Sequence, residues 1–331
     1  MLRLLKSLFL LALLVALGVA AAGWWWLERP LPLATPTVDL VIEPGTVPRA
    51  VARAVRDAGV DVEPELLYAW FRVSGQAPQI KAGNYEVERG ITPRRLLDKL
   101  ARGEEALRAV TLVEGWNIRQ VRAALAKGDQ LKPDTRDLAD TDLMKLLGRE
   151  GVHPEGRFFP DTYTYAKGSS DTAVLKRAMR AMDKRLAQAW ARRAPDVAVK
   201  TPEEALVLAS IVEKETGKAA DRTMIASVFH NRLRTGMPLQ TDPTVIYGMG
   251  AAFNGNLRKV DLQADTPWNT YTRPGLPPTP IAMPGKASLL AAVQPAPGKF
   301  LYFVAKGDGA SQFSATLDEH NRAVNRYQRG Q

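Results

Sequence analysis

Between Ser7 and Leu27 no residue carries a charge, and every position from Leu8 to Leu17 is apolar. A helix of these roughly 21 residues is about 31 Å long at ~1.5 Å per residue, which matches a hydrocarbon core of ~30 Å. Such a segment either crosses a bilayer or is cut away. Arg3 and Lys6 precede it, so the positive-inside rule puts the N-terminus in the cytoplasm and the rest of the chain on the far side, where Trp24, Trp25 and Trp26 suit the headgroup layer. Ala20-Ala21-Ala22 offers the small residues of a signal-peptide cleavage site. The run is long for a signal segment, however, and three tryptophans directly after the alanines fit an interfacial belt, so residues 1–29 are expected to stay as a single-pass anchor.

The chain has 331 residues, 46% hydrophobic and 24% charged, enough for about two folded domains beyond the anchor. Lys and Arg number 45 against 35 Asp and Glu, a net charge of +10 that favours anionic surroundings without naming one. Cysteine is absent, which excludes disulfides, thiolate metal sites, a cysteine nucleophile and a lipidated N-terminal cysteine. His153, His230 and His320 are far apart in sequence, with no His-Glu-x-x-His pair, Gly-x-Ser-x-Gly elbow or P-loop, so neither a metal nor another cofactor is expected. The basic helix expected over Asp171–Arg193 reads as a solvated face; with no recognition motif beside it, no nucleic-acid partner is expected.

Proline at positions 30, 32 and 36 reads as a short spacer over residues 30–37. Residues 38–105 then repeat one grammar. Val38–Ile42 reads as a strand, Pro44-Gly45-Thr46 breaks it, and Val51–Ala58 supports a helix. Gly83–Val87 reads as a second strand, and Thr92 caps a helix with Pro93 at its first position, a stripe of Leu96, Leu97 and Leu100, and Gly103 as its stop. This small α+β module resembles the lysin-motif-like domain that binds peptidoglycan in bacterial wall proteins. Residues 106–331 form the remaining domain, which opens with Val110–Trp116 and continues with a helix over Ile118–Ala126, a polar Asp-rich stretch over 128–150 and an aromatic turn between helices at Gly156–Tyr163. The fold class expected is thus α+β: a transmembrane helix, a small module and a larger mixed domain.

Chemistry concentrates after residue 200. Thr201-Pro202-Glu203-Glu204 starts a helix, with Thr as cap and Glu204 completing a capping box. Leu208, Ile211 and Val212 make its apolar stripe, and Glu215 falls on the same face, while Glu213 lies beside Ala209 and Ser210. Gly217 is expected to end the helix in a left-handed cap. Burial disfavours a charged carboxylate, so Glu215 could hold a transferable proton near neutrality. It could equally be half-exposed at the helix end, paired with Lys218 or Arg222. A second helix is expected over Asp221–Arg234, stopped by Gly236. Beyond it come Gln240, Tyr247, Asn269 and Tyr271, followed by a loop whose prolines at 274, 277, 278, 280 and 284 hold an irregular path. Amide, hydroxyl and aromatic groups on stiff loops suit a sugar, whose hydroxyls seek hydrogen bonds and whose ring faces stack; ordinary turn packing is the other reading.

Ala209–Thr216, Asn231-Arg232-Leu233, Leu239–Gly248, Asn269-Thr270-Tyr271 and Gly275–Pro278, in this order, resemble the endolytic murein transglycosylase (YceG-like) family. The likeness extends to Leu112–Gly115, Phe159–Thr162, Leu301–Ala305 and His320-Asn321, so it spans residues 38–327. It implies a bacterial inner-membrane protein whose periplasmic part cuts within peptidoglycan glycan strands and leaves a 1,6-anhydro-N-acetylmuramic acid end. It also implies work beside peptidoglycan synthases, ending or releasing nascent strands. In the wider lytic transglycosylase group the catalytic Glu is followed by Ser or Thr, which marks Glu215 ahead of Glu213, with Glu114, Asp161 and Asp242 as further rivals. Gln240, Asp242, Tyr247, Asn269, Thr270 and Tyr271 carry over as substrate-binding positions. A wall-binding scaffold that does not cut is the alternative function.

Overall fold

The computed structural model of the protein describes residues 2–329, with the backbone alone for residues 2–5. Two units divide the chain: one runs up to Arg108 and includes Tyr165–Ser169, and the other comprises Ala109–Thr164 and the chain from Ser170 onward.

The first unit begins with α1 (Leu2–Glu28), whose side chains from Leu8 to Trp25 are exposed throughout. Among the described residues it is the one helix long and apolar enough to cross a membrane. Its end is fastened: Arg94 forms an ion pair of 2.7 Å with Glu28 and lies 4.5 Å from the Trp24 ring centroid. The proline-rich stretch after it is no free spacer. Leu31 N donates to Ile91 O at 2.8 Å, Ala34 N to Gly59 O at 2.9 Å, and Pro32 O accepts from Asp61 N at 2.9 Å. Proline removes donors but leaves carbonyls, so such a stretch can still be bonded along its length.

β1 (Thr37–Ile42) pairs antiparallel with β2 (Gly83–Glu88), with Leu40 opposite Tyr85. Val38, Leu40 and Ile42 point inward, as the two-residue strand period requires. Against this ribbon pack α2 (Pro48–Asp57), α3 (Pro64–Val73) and α4 (Pro93–Arg102), which bury Val51, Val55, Leu67, Phe71, Leu96, Leu97 and Leu100. Thr92 accepts from Arg95 N and Gly103 closes α4 at φ +71°, so that helix is delimited as its sequence predicts. α3 is absent from the strand-and-helix grammar above.

β3 (Leu107–Thr111) pairs with β4 (Thr162–Ala166), so the aromatic stretch at 156–163 leads into a strand rather than turning between helices. The second unit continues through α5 (Ile118–Ala126), α6 (Asp140–Leu146) and α7 (Asp171–Ala191). α8 (Pro202–Glu215) is its central helix, packed by α7, α9 (Arg222–Thr235) and α12 (Lys286–Val293), with α10 (Asp242–Met249) and α11 (Lys259–Gln263) between the last two in sequence. Every residue of α8 from Ala205 to Val212 is buried, so the expected single apolar stripe is in fact an apolar helix on all sides. Thr201 caps it, but Glu204 accepts from Lys200 N instead of closing a capping box. The chain ends with β5 (Tyr302–Ala305), antiparallel to β6 (Ser311–Ser314), and α13 (Leu317–Gln328).

Candidate active site

α8 stops at Glu215 because Thr216 is extended, at φ −150° and ψ 134°, and its hydroxyl accepts from Lys218 N at 2.9 Å. Gly217 does not adopt the left-handed cap expected of it. The abrupt turn leaves Glu215 half-buried at the end of the buried helix, on a groove of about 490 Å³.

The segment that meets Glu215 is built from threonines. Thr241, 2% exposed, donates its hydroxyl to Glu215 Oε1. Thr241 N donates to Thr270 Oγ1 at 3.1 Å, Thr244 Oγ1 donates to Thr241 O at 2.7 Å, and the hydroxyls of Thr244 and Thr270 lie 2.9 Å apart. Gln240 N donates to Thr270 O at 3.1 Å, and Gln240 sits at φ +50°, a conformation that costs a side-chain-bearing residue energy. Asp242, at the start of α10, accepts from Tyr271 Oη at 2.6 Å. Behind them Asn269 is fully buried: its Nδ2 donates to Leu262 O and Ala264 O, and its Oδ1 accepts from Tyr271 N at 2.8 Å.

Of the residues named from sequence, Glu215, Gln240, Asp242 and Tyr271 line the groove. Asn269 and Thr270 lie beneath it and hold its lining by hydrogen bonds. Tyr247 is off the groove, packed edge-to-face on Trp268 with centroids 5.5 Å apart and bonded to the Glu155 carboxyl. Glu213 accepts from Gly285 N at 2.9 Å, Glu114 lies against that same glycine, and Asp161 accepts from Thr162 N at 2.8 Å. None of these three lines the groove.

Arg232 does line it; in the sequence it stands at the end of a helix and within the Asn231-Arg232-Leu233 string of the family likeness, without a role of its own. Its guanidinium, in a residue 8% exposed, donates to Leu301 O at 2.7 Å, Leu239 O at 2.9 Å and Pro238 O at 3.2 Å. It also lies 5.3 Å from the Tyr302 ring centroid. Thus one side chain ties α9 to the loop before α10 and to the start of β5. Tyr302, Phe303 and His320 also line the groove; they fall in the Leu301–Ala305 and His320-Asn321 stretches of the family likeness, but nothing in the sequence singles them out as site residues.

Burial is the largest influence on the Glu215 carboxyl and lifts it to about 7; the Thr241 hydrogen bond opposes this, the Asp242 charge adds to it, and Arg232 opposes it. Glu155, fully buried and accepting from Ile118 N at 3.1 Å, is also lifted to about 7 by burial, but away from the groove. Burial raises Glu114 too, with the Glu213 charge adding to it and Arg222 opposing. No group of three or more His, Asp or Glu gathers as a metal site among the described residues. What the groove presents is a carboxyl that can give and retake a proton near neutral pH, among amide, phenol and hydroxyl groups.

The chain matches the YceG-like family over residues 40–326. The endolytic murein transglycosylase of Bacillus subtilis (strain 168) is 32% identical, over 88% of this chain and 85% of that one. The endolytic murein transglycosylase of Streptococcus pneumoniae serotype 2 (strain D39 / NCTC 7466) is 26% identical; the alignment covers 96% of this chain and 64% of that longer protein. A crystal structure of a yceG-like protein from Listeria monocytogenes, 29% identical, superposes with a TM-score of 0.56 over 86% of this chain and 98% of that one.

Proposed function

The chain belongs to the YceG-like family, and from that premise we propose that it is an endolytic peptidoglycan lytic transglycosylase, anchored in the bacterial inner membrane by α1, with Glu215 as its proton shuttle. The single observation that carries the assignment of Glu215 is its placement: a half-buried carboxyl on the groove, lifted to about 7 and held by Thr241.

Ordinary glycoside hydrolysis uses two carboxyl groups, one to protonate the leaving oxygen and one to attack or to activate water. A lytic transglycosylase needs one, because the nucleophile is the C6 hydroxyl of the N-acetylmuramic acid residue itself. Glu215 gives its proton to the glycosidic oxygen between N-acetylmuramic acid and N-acetylglucosamine, and the C1–O bond breaks. The carboxylate then takes the proton from the C6 hydroxyl as that oxygen bonds to C1. A 1,6-anhydro ring closes, Glu215 is protonated again and no water is consumed. Tethering the nucleophile to the sugar supplies the entropic advantage of an intramolecular attack. Gln240, Asp242 and Tyr271 are the groups proposed to touch the strand. Asp242 is the other carboxylate on the groove, and its bond to Tyr271 Oη supports an orienting role over an attacking one. Asn269 and Thr270 position these side chains from below.

The positive-inside pattern of Arg3 and Lys6 supports a cytoplasmic N-terminus and a periplasmic catalytic part. In the same reading the unit with β1 and β2 is the lysin-motif-like module, and the enzyme works beside peptidoglycan synthases to end nascent strands.

The test is a product assay on uncrosslinked glycan strands. Anhydro ends are expected, lighter by one water than the reducing ends a hydrolase leaves; intact strands would return the scaffold reading. Glu215→Gln is expected to lower turnover by about 10²–10⁴, the usual worth of acid–base help, with folding unchanged by circular dichroism. Cleavage near the wild-type rate in that folded variant rejects Glu215.

A further inference from the structure

The groove that holds Glu215 also runs along α13, where Leu317, His320, Val324 and Gln328 recur at the three- and four-residue spacing of one helical face. Leu317 is 54% exposed there. The ring of His320 stacks on Tyr302 with centroids 5.2 Å apart and planes at 23°. Its Nδ1 is buried with no hydrogen-bond partner. Burial first, and then the charge of Arg232, hold this imidazole below its ordinary value, so it is neutral at neutral pH. A neutral imidazole carries one N–H, and a buried N–H without a partner is tolerated less well than a bare lone pair. The proton therefore belongs on Nε2. A largely apolar strip results, in which His320 presents an uncharged N–H between Leu317 and Val324 and the Gln328 amide stands at the far end, at a place the proton-shuttle chemistry does not use.

An N-acetylated sugar has the matching pattern, with C–H faces to lie on Leu317 and Val324 and an amide carbonyl to accept a hydrogen bond. We propose that this face of α13 is a sugar subsite of the groove, in which His320 Nε2–H donates to the N-acetyl carbonyl oxygen of a residue in the bound strand. The inference rests on the glycan reading above and adds where the strand lies and which group is read.

Binding is measured on the full chain in detergent carrying Glu215→Gln, so that nothing is cut. The probes are peptide-free glycan strands and the same strands after de-N-acetylation. Adding His320→Phe keeps a ring against Tyr302 and removes the donor; it is expected to weaken binding of the acetylated strands about three- to tenfold, the worth of one neutral hydrogen bond. His320→Gln, which retains an amide donor, is expected to recover most of that loss, and on de-N-acetylated strands His320→Phe is expected to change nothing. Equal affinity of the Phe variant and its parent overturns the subsite, and so does an equal loss on both probes. His320→Leu is read beside it in case the larger ring disturbs α13, and a folded Leu variant that binds like its parent overturns the proposal too. If the parent with His320 intact binds neither probe, the glycan reading itself fails, an outcome distinct from a loss that leaves His320 without effect.

Discussion

Three charges meet at Glu215, and each makes a prediction of its own sign. In the proposed mechanism Glu215 acts first as an acid, so activity is expected to fall as pH rises through its value of about 7. Asp242 raises that value, so Asp242→Asn is expected to move the alkaline limb of the pH–rate profile to lower pH. Arg232 lowers it, and Arg232→Met is expected to move the limb upward while the maximum falls. A limb that stays in place in both folded variants would separate these charges from the reaction. How the site reads from sequence differs residue by residue. The spacing of Leu208, Ile211 and Val212 points toward Glu215, yet α8 is buried on all sides, so helical phase alone does not divide Glu215 from Glu213. Neighbours divide them: Glu213 is held by Gly285 N, whereas Glu215 meets Thr241 on the groove. Arg232 is illegible in one dimension because its partners, Leu239 O and Leu301 O, come from different segments and are backbone atoms that carry no sequence signature.

Elements with their own punctuation are the ones a sequence announces. Thr92, Pro93 and Gly103 delimit α4, and Asn117 with Gln120 closes a capping box at the start of α5. β4 escapes because Thr162–Ala166 is a strand only by virtue of its pairing with β3. The rigid path of the proline loop depends on a close approach that can be tested. Gly156 sits at φ +76°, and a Cβ there would lie 2.6 Å from Pro280 Cβ. Gly156→Ala is expected to destabilise the second unit by about 1–3 kcal/mol, since neither the left-handed backbone nor the proline ring yields easily. Thr201→Ala is expected to cost about 1 kcal/mol through loss of the α8 cap. Denaturant midpoints measure both, and a Gly156→Ala protein as stable as wild type would mean that the loop shifts freely.

For the molecule as a whole, Glu155 and Glu215 share a consequence. Both carboxyls are lifted from 4.5 to about 7, so the folded chain keeps protons that the unfolded chain releases between those values. Their contribution to stability is complete below pH 4.5 and is lost as pH rises through about 7. Glu215→Gln is therefore expected to melt at a higher temperature than wild type at pH 8 and to lose that advantage at pH 4; an advantage independent of pH would contradict the burial of the carboxyl. Removing residues 1–28 is expected to release the protein from membranes that otherwise retain it through a carbonate wash. The amino-acid sequence by itself determined the apolar span of α1, the capped helices, the α+β class and the carboxyl at the end of α8, because periodicity, caps and charge-free length act over a few neighbours along the chain. Only the tertiary structure decided that the proline-rich stretch is bonded to its module, that Asn269 and Thr270 support the groove from beneath, and that Arg232, Tyr302 and His320 line it. Those outcomes depend on which atoms meet across long stretches of chain, and burial and hydrogen bonding between distant segments exist only once the chain has folded.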